Sequence, residues 1–200
     1  IAGPGFLNLK MSSNFFIERL RDAVQQRNDF GKSNVGQGIK ILIEFVSANP
    51  TGPLHIGHGR GAAVGDALAR ILKKAGYDLS TEYYVNDVGN QMNILGRSTW
   101  LRYLELLDKD IVFPDDHYRG GYVKDIAQQA IDQVGKEYFD KPEEECVPYF
   151  KELAKNNILE GIKKDLTDFR VTFDNWFSEQ SLYKDNSVEG AIEWLRDKGH

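Results

Sequence analysis

Residues 39–58 read IKILIEFVSANPTGPLHIGH, and the type of fold can be worked out from this stretch. Its first eight residues are dense in isoleucine and valine, which is typical of a strand buried on both faces of a parallel sheet. A turn rich in glycine and proline, residues 49–61, leads into a segment with apolar residues at helical spacing, residues 62–75. Residues 79–85 are again rich in β-forming side chains. Because strand, turn, helix and strand follow one another, we predict a parallel, right-handed βαβ unit.

The helix predicted over residues 62–75 carries an apolar stripe and a stop signal. Four residues form the stripe: Val64, Leu68, Ile71 and Leu72. We expect this stripe to be buried against the sheet. Gly76 follows the last turn, where a glycine commonly ends a helix.

The segment before the βαβ unit contains a predicted strand, a predicted helix and a linker. Residues 6–11 alternate between apolar and polar side chains, which predicts a strand. A helix should follow Ser12 or Ser13, because either serine can cap it and an apolar stripe comes next. The stripe consists of Phe16, Leu20, Ala23 and Val24. Residues 28–38 are rich in glycine, asparagine and charge, which predicts a linker.

Helices dominate the sequence after residue 90. The periodicity predicts helices over residues 91–107, 122–136 and 142–168, then a strand over 171–177 and a last helix over 188–198. The predicted fold class is therefore α/β, a Rossmann-like nucleotide-binding fold, first half, with a largely helical insertion. Both ends of the chain look cut.

The composition is that of a globular domain without general affinity for polyanions. Hydrophobic residues make up 41% of the chain, charged residues 28%, and the formal net charge is −5. A nucleic acid would have to bind a local patch or a part of the protein outside this chain. Cys146 is the only cysteine, so no internal disulfide is possible and a reducing compartment is expected. No apolar run reaches the roughly 20 residues of a membrane span, and the start does not resemble a signal peptide, so we expect a cytoplasmic domain without a membrane partner.

Two phosphate-binding motifs and a zinc site are incomplete. Residues 31–33 read GKS, like the end of a P-loop, but Gln26 occupies the position of its first glycine. The glycines in residues 57–61 complete a GxGxxG fingerprint in neither register. His55 and His58 could bind zinc, but no third ligand is nearby. We therefore predict no metal site and no tightly bound cofactor.

His55 and His58 lie three residues apart at the start of a helix. At that spacing both rings lie on one side of the helix and face whatever approaches its end. Gly57 leaves room for a flat group on the backbone, and the helix dipole adds positive potential. Such a site suits the charge that develops when an α-phosphate is attacked and pyrophosphate departs. The structural alternative is a pair of packed, hydrogen-bonded histidines.

Residues 55–58 are identified as the HIGH signature of class I aminoacyl-tRNA synthetases. The surrounding stretches resemble bacterial arginyl-tRNA synthetases in particular: residues 1–9, 44–54, 59–66, 82–91, 118–122 and 173–179. The resemblance implies that residues 1–37 are the tail of an N-terminal tRNA-binding domain plus a linker. It also implies that residues 38–200 are the first part of the catalytic domain, divided into the βαβ unit (38–91), the helical insertion (92–170) and a return to the core (171–200).

The resemblance implies the activity of an arginine–tRNA ligase. Such an enzyme activates L-arginine with ATP, which enters with Mg²⁺, and transfers arginine from arginyl-adenylate to tRNA(Arg). We expect a monomer, and we expect the 200-residue chain alone to be inactive. Some arginyl enzymes place a lysine just before HIGH, but this chain has Pro50, Thr51 and Gly52 there. It should therefore rely on a KMSKS-type loop. Residues 10–13 (KMSS) are similar to that motif in their letters only.

The resemblance also assigns roles to single residues. His55 and His58 would be the catalytic residues that bind and polarise the ATP phosphates, and Gly57 would face the adenine. The implied arginine-binding residues are Glu44, Ser47, Asn49, Asn86, Asp87 and Gln91. Asn49 would hold the α-amino group, and Glu44 the guanidinium, because a carboxylate inside a buried strand needs a partner. The structural alternatives are a turn glycine at 57, an Asn-Pro turn at 49 and a strand-end salt bridge at 44.

Two other functions stay open at this point. A HIGH-type nucleotidyltransferase acting on a small molecule would explain the two histidines, but it would explain neither Asn49 nor residues 86–91. A non-catalytic tRNA-binding fragment is disfavoured by the net charge of −5 and by the absence of a basic patch in the sequence.

Overall fold

The computed structural model describes residue 3, residues 5–184 and residues 186–200. Its three strands are β1 (Lys40–Glu44), β2 (Asp78–Val85) and β3 (Asn175–Ser178). Its α-helices are α1 (Ser13–Gln26), α2 (Ile56–Lys74), α3 (Asn90–Leu106), α4 (Gly121–Val134), α5 (Glu143–Asp168), α6 (Gln180–Lys184) and α7 (Ser187–Asp197). The strands form one sheet in the order β1-β2-β3, and both pairings are parallel. The predicted parallel βαβ unit, made of β1, α2 and β2, is confirmed.

Strand β1 is shorter and less buried than the sequence predicts. Its side chains alternate between half-buried and exposed, and Leu42 is 61% exposed. The expectation of a strand buried on both faces is wrong, because only one face of the sheet is covered in the described part of the chain, and the central strand β2 alternates in the same way. Helix α2 and the insertion pack on the face that carries Tyr83 and Val85. The other face, with Lys40 and Glu44, is open.

Helix α2 begins six residues earlier than predicted and buries a different side. The buried residues are Ala62, Gly65 and Ala69, whose small size lets the helix approach the sheet. A Cβ at Gly65 would lie 2.3 Å from the ring of Phe45. Of the stripe expected to be buried, Leu72 is half-buried, whereas three members are exposed: Val64, Leu68 and Ile71. The stripe prediction is wrong because only small side chains let α2 approach the sheet closely, and the bulky side chains face away from it.

The helical insertion is built as its periodicity predicts. Helices α3, α4 and α5 begin and end within two residues of their predicted bounds and pack against one another. Their own core is centred on Tyr103 and Phe150, both fully buried. The inner side of α5 also contributes to the core under the sheet, where Ile158 and Ile162 pack with Tyr83. One long helix therefore joins the insertion to the sheet.

The N-terminal segment is only partly as predicted. The strand predicted over residues 6–11 is not formed: Phe6 makes an isolated bridge, and residues 7–11 have no strand of the sheet beside them in the described part of the chain. Helix α1 is confirmed, and Ser12 is its cap, with Oγ accepting from the N–H of Phe15 at 3.2 Å. No residue of α1 is buried. The segment after it docks on the end of α2, where the N–H of Gly36 donates to the carbonyl of Ala75 at 2.8 Å.

The C-terminal part returns to the sheet. Strand β3 covers only the second half of the predicted span 171–177 and ends one residue later. Before it, the carboxylate of Asp174 accepts bonds from the N–H (2.8 Å) and hydroxyl (3.0 Å) of Thr81, which lower the pKa of Asp174. Helix α7 is confirmed, whereas the single turn α6 was missed because five residues are too few for a helical period. Among the described residues, no helix has both the length and the apolarity needed to cross a membrane.

Candidate active site

His55 ends the loop between β1 and α2 and is the N-cap residue of α2. Its Nδ1 accepts a hydrogen bond from the N–H of Gly57 at 3.1 Å, and Nδ1 of His58 accepts one from the N–H of His55 at 3.2 Å. The first turn of a helix has no internal partners for its N–H groups, so this reciprocal arrangement stabilises the helix start. The helix therefore begins inside the signature, and the histidines have a structural role in addition to any chemical one.

The imidazole rings of His55 and His58 stack with their centroids 3.8 Å apart and an interplanar angle of 22°. Because each Nδ1 accepts a backbone N–H, each ring in its neutral form carries its proton on Nε2. Burial, and secondarily the neighbouring His55, lowers the pKa of His58. In this tautomer each ring presents an Nε2–H group, which can donate a hydrogen bond to a phosphate oxygen.

Gly57 leaves the space that the ring of His55 occupies. A Cβ at this position would lie 2.9 Å from Cε1 of His55 and 3.1 Å from its Nδ1. Any larger residue would therefore push the ring out of its stack. The glycine is required by the histidine geometry, independently of whether an adenine rests on it.

The loop after β1 bends through two left-handed residues, Val46 (φ 66°) and Ser47 (φ 41°). This conformation costs about 1–3 kcal/mol for a residue other than glycine and is rare for a β-branched valine. Hydrogen bonds from β2 hold it in place. The hydroxyl of Tyr83 accepts from the N–H of Ala48 and donates to its carbonyl, both at 3.0 Å, and Oγ of Ser47 accepts from the N–H of Tyr84 at 3.1 Å.

Asn49 follows this loop and meets a second predicted site residue. Its Nδ2 donates to Oε1 of Gln91 at 2.8 Å, which joins the end of the β1 loop to the start of α3. A cavity of about 330 Å³ opens beside it, lined by Ala48, Asn49, Thr51, Gly52, Pro53, His55 and His58. One cavity is thus bordered by both HIGH histidines and by Asn49.

Asp87 is buried and its carboxylate is already engaged. Oδ2 accepts from the hydroxyl of Ser178 at 2.7 Å, and Oδ1 accepts from the N–H of Gln180 at 3.0 Å. The ammonium of Lys155 lies 3.9 Å from Oδ2 and 2.7 Å from a carboxylate oxygen of Glu152. Asp87 therefore ties the end of β2 to β3, α6 and the insertion.

Glu44 and Asn86 complete the predicted site residues. Asn86 is half-buried and directly follows β2. Glu44 ends β1 with an exposed side chain on the open face of the sheet, opposite Glu82. The argument that Glu44 is a carboxylate inside a buried strand is wrong, because the side chain lies on the uncovered face of the sheet and reaches solvent.

Comparison with known proteins identifies the family. The sequence profile of the class I (R) tRNA synthetase catalytic domain matches residues 19–200. The chain belongs to the arginyl class I tRNA synthetases. It is 51% identical, over its whole length, to an arginine–tRNA ligase of Geobacter sp. (strain M21). It is 48% identical, over 99% of its own length, to the arginine–tRNA ligase of Shouchella clausii. In each case it spans 36% of the relative's length.

Two solved structures agree with this family of synthetases. A Campylobacter jejuni protein described as an arginyl-tRNA synthetase is 39% identical, with a TM-score of 0.81, over 94% of this chain and 40% of that chain. The Thermus thermophilus arginyl-tRNA synthetase, 23% identical with a TM-score of 0.56, shares the fold over 90% of this chain and 30% of that chain. The predicted resemblance and fold class are confirmed.

The prediction missed the residues of this synthetase domain that shape the site without lining it. Tyr83 holds the loop at Ala48, and the hydroxyl of Tyr122 donates to the carbonyl of Thr51 at 2.7 Å. In the sequence Tyr83 is one of several β-forming residues of its strand, and Tyr122 is the first residue of the helix predicted over 122–136. For Tyr83 the signal was a polar hydroxyl at a strand position that alternates into the core, and both tyrosines lie in the stretches 82–91 and 118–122 that resemble arginyl-tRNA synthetases.

Proposed function

We propose that the protein carrying this chain is an arginine–tRNA ligase. It would activate L-arginine with ATP to arginyl-adenylate and pyrophosphate and then transfer the arginine to tRNA(Arg). The observation that carries the proposal is the cavity bordered by His55, His58 and Asn49. In this cavity the imidazole N–H donors, which can bind phosphate oxygens, lie beside the amide of Asn49, which can bind the ammonium group of an amino acid.

The histidines would act on the first chemical step. A carboxylate oxygen of arginine attacks the α-phosphorus of ATP, and the bond from phosphorus to the bridging oxygen of pyrophosphate breaks. Negative charge shifts onto the phosphate oxygens, and fixed N–H donors stabilise such charge most when they are already oriented. The Nε2–H groups of His55 and His58 fit this role because the Nδ1 atoms fix both rings. Mg²⁺ enters with ATP as part of the substrate and offsets the charge of the departing pyrophosphate.

Asn49 would bind the α-ammonium group of arginine. Because its Nδ2 donates to Gln91, its Oδ1 is oriented as an acceptor, which is the polarity that an ammonium group requires. Gln91 would then act by fixing the orientation of this amide, and Ser47 by holding the loop before it.

Acidic surroundings at the end of β1 support a guanidinium site. Glu44 lies on the open face of the sheet directly opposite Glu82, so two carboxylates meet there. Tyr84 follows on the same face, and burial, then the charges of Glu179 and Glu44, raises the pKa of Tyr84. Carboxylates and guanidinium groups pair through charge-assisted, often bidentate hydrogen bonds. We assign Glu44 to the guanidinium on this basis. Asp87, whose own oxygens are occupied, would act by fixing the end of β2, which carries the neighbouring Asn86.

The assay that tests this function is arginine-dependent exchange of pyrophosphate into ATP by the full-length protein, with tRNA(Arg) present. Asn49→Ala should raise the KM for arginine roughly tenfold and leave the KM for ATP within about twofold. Gln91→Ala should do the same, and the double variant should resemble either single one, because the pair acts as a unit. Asn157→Ala is the matched control, since Asn157 makes the same kind of amide bond to Gln129, at 2.6 Å, within the insertion.

Two results would count against the proposal. Equal effects of Asn49→Ala on both substrates would mean that Asn49 only packs the loop. Exchange that proceeds without arginine, or with an unrelated acid instead, would favour a HIGH-type nucleotidyltransferase.

A further inference from the structure

The left-handed turn at Val46 and Ser47 stands directly before the proposed substrate amide. Neither residue is a glycine, so the turn relaxes unless neighbouring groups hold it. Asn49 lies three residues after Val46, so a change in the backbone torsion angles at 46 or 47 changes the direction of the chain at Asn49. The orientation of Asn49 towards Gln91 therefore depends on whatever keeps this turn in place.

Two residues of β2 hold the turn: the backbone N–H of Tyr84 donates to Oγ of Ser47, and the side chain of Tyr83 binds the residue after the turn. The Tyr83 hydroxyl binds both the N–H and the carbonyl of Ala48, so it fixes the peptide groups on either side of that residue. The side chain is fully buried, and its ring stacks on Trp176 at 4.3 Å and meets Phe173 edge-on at 5.4 Å. Burial raises the pKa of Tyr83 to about 12, so the hydroxyl keeps its proton for donation.

We propose that Tyr83 is a positioning residue for amino-acid binding: it stabilises the left-handed turn at residues 46–47 and thereby aims Asn49 into the cavity. The inference rests on the proposed function, since it concerns the KM for arginine. Tyr83 does not line the cavity, so it acts through Ala48 and not by contact with a substrate.

The chain contains a matched control in Tyr103. This tyrosine is also fully buried, and its hydroxyl also joins a carbonyl and an N–H of the backbone, donating to Gly135 at 2.8 Å and accepting from Tyr138 at 3.3 Å. It lies in the helical insertion and holds the segment after α4. Replacing either tyrosine by phenylalanine removes the same two hydrogen bonds, and only one of the two changes touches the turn before Asn49.

The experiment compares Tyr83→Phe and Tyr103→Phe in the full-length protein by arginine-dependent ATP–pyrophosphate exchange and by thermal unfolding. Both variants should lose stability to a similar extent. Tyr83→Phe should raise the KM for arginine roughly tenfold, with the KM for ATP within about twofold and kcat less affected, whereas Tyr103→Phe should leave both KM values within about twofold. Equal KM values for arginine in the two variants would overturn the inference, as would equal effects of Tyr83→Phe on both substrates.

A second pair of variants tests the strain itself and serves if Tyr83→Phe alone does not fold. Glycine adopts φ 66° without strain, so Val46→Gly removes the strain at the β-branched residue of the turn and leaves only that of Ser47. In the Val46→Gly background, Tyr83→Phe should raise the KM for arginine less than about threefold. A persisting tenfold increase would show that Tyr83 does not act through the turn. If the unaltered protein shows no arginine-dependent exchange, the proposed function fails; if it does and the tyrosine variants behave alike, only the inference on Tyr83 fails.

Discussion

The helical insertion and the loop-and-cap region between β1 and α2 are held together in different ways. In the insertion, fully buried side chains such as Tyr103, Phe150 and Leu104 fill the space between three helices. In the loop-and-cap region, residues 45–58, few side chains are buried, the backbone is left-handed at two positions, and single hydrogen bonds fix its course. Apolar packing stabilises the first region, and specific polar contacts shape the second.

This difference predicts which property each region controls. Substitutions in the insertion should lower the free energy of unfolding and leave the chemistry of the folded protein unchanged. Substitutions in the loop-and-cap region should change rates and KM values with small effects on stability.

The largest effect is expected in the core of the insertion. Phe150 is fully buried against Tyr103, with ring centroids 5.0 Å apart. Phe150→Ala should lower the free energy of unfolding by about 3–5 kcal/mol, the usual cost of a cavity of this size. Val112→Ala, at a side chain 94% exposed, should cost less than about 0.5 kcal/mol. Urea unfolding measures both, and a changed KM for arginine in folded Phe150→Ala would contradict the contrast.

The next effect separates the two roles of His55. An asparagine also caps helices well, so His55→Asn keeps the cap and removes only the Nε2–H donor, whereas His55→Ala removes both. Single-turnover adenylate formation in the full-length protein should fall roughly a hundredfold in each variant. Stability should fall by about 1 kcal/mol in His55→Ala alone. Near-normal adenylate formation by His55→Asn would mean that this histidine is only a helix cap.

A smaller effect is expected at Gly57. Gly57→Ala should slow adenylate formation roughly tenfold, because the added methyl group displaces the ring of His55. Gly61→Ala in the same helix is the control, since a Cβ there meets nothing within 4 Å. Once His55→Asn has removed the ring, Gly57→Ala should cause little further loss. A full additional loss in that background would assign the glycine to an adenine contact instead.

The smallest effect concerns pH. Burial lowers the pKa of His58 below its ordinary value of 6.5, so the unfolded chain binds more protons than the folded one as the pH falls below that value. The stabilising contribution is complete above pH 6.5 and is lost as the pH falls through the lowered pKa. Glutamine at the third helical position can also complete the capping pair and does not titrate. The melting temperature of His58→Gln should therefore drop less between about pH 7.5 and 5.5 than that of the unaltered protein, and an equal drop would contradict the assignment.

Local pattern was enough to predict much of the fold. The period of the apolar residues predicted α3, α4 and α5 almost to the residue, because those helices bury the very stripes that the period describes. It failed for α2, where Val64 and Ile71 form an equally regular stripe that the structure leaves exposed. Periodicity reports that a stripe exists, and only the shape of the neighbouring surface decides which side of a helix is buried.

For the candidate site, too, the sequence predicts the local features and not the contacts between distant segments. The family, the βαβ unit and the histidine pair could be predicted because each depends on residues close together in the chain. Three contacts became known from the three-dimensional structure: Tyr83 binds Ala48, 35 positions away, Asn49 binds Gln91, and Asp87 binds Ser178, 91 positions away. A hydrogen bond between distant segments depends on where the sheet places them, and a short stretch of sequence does not contain that information.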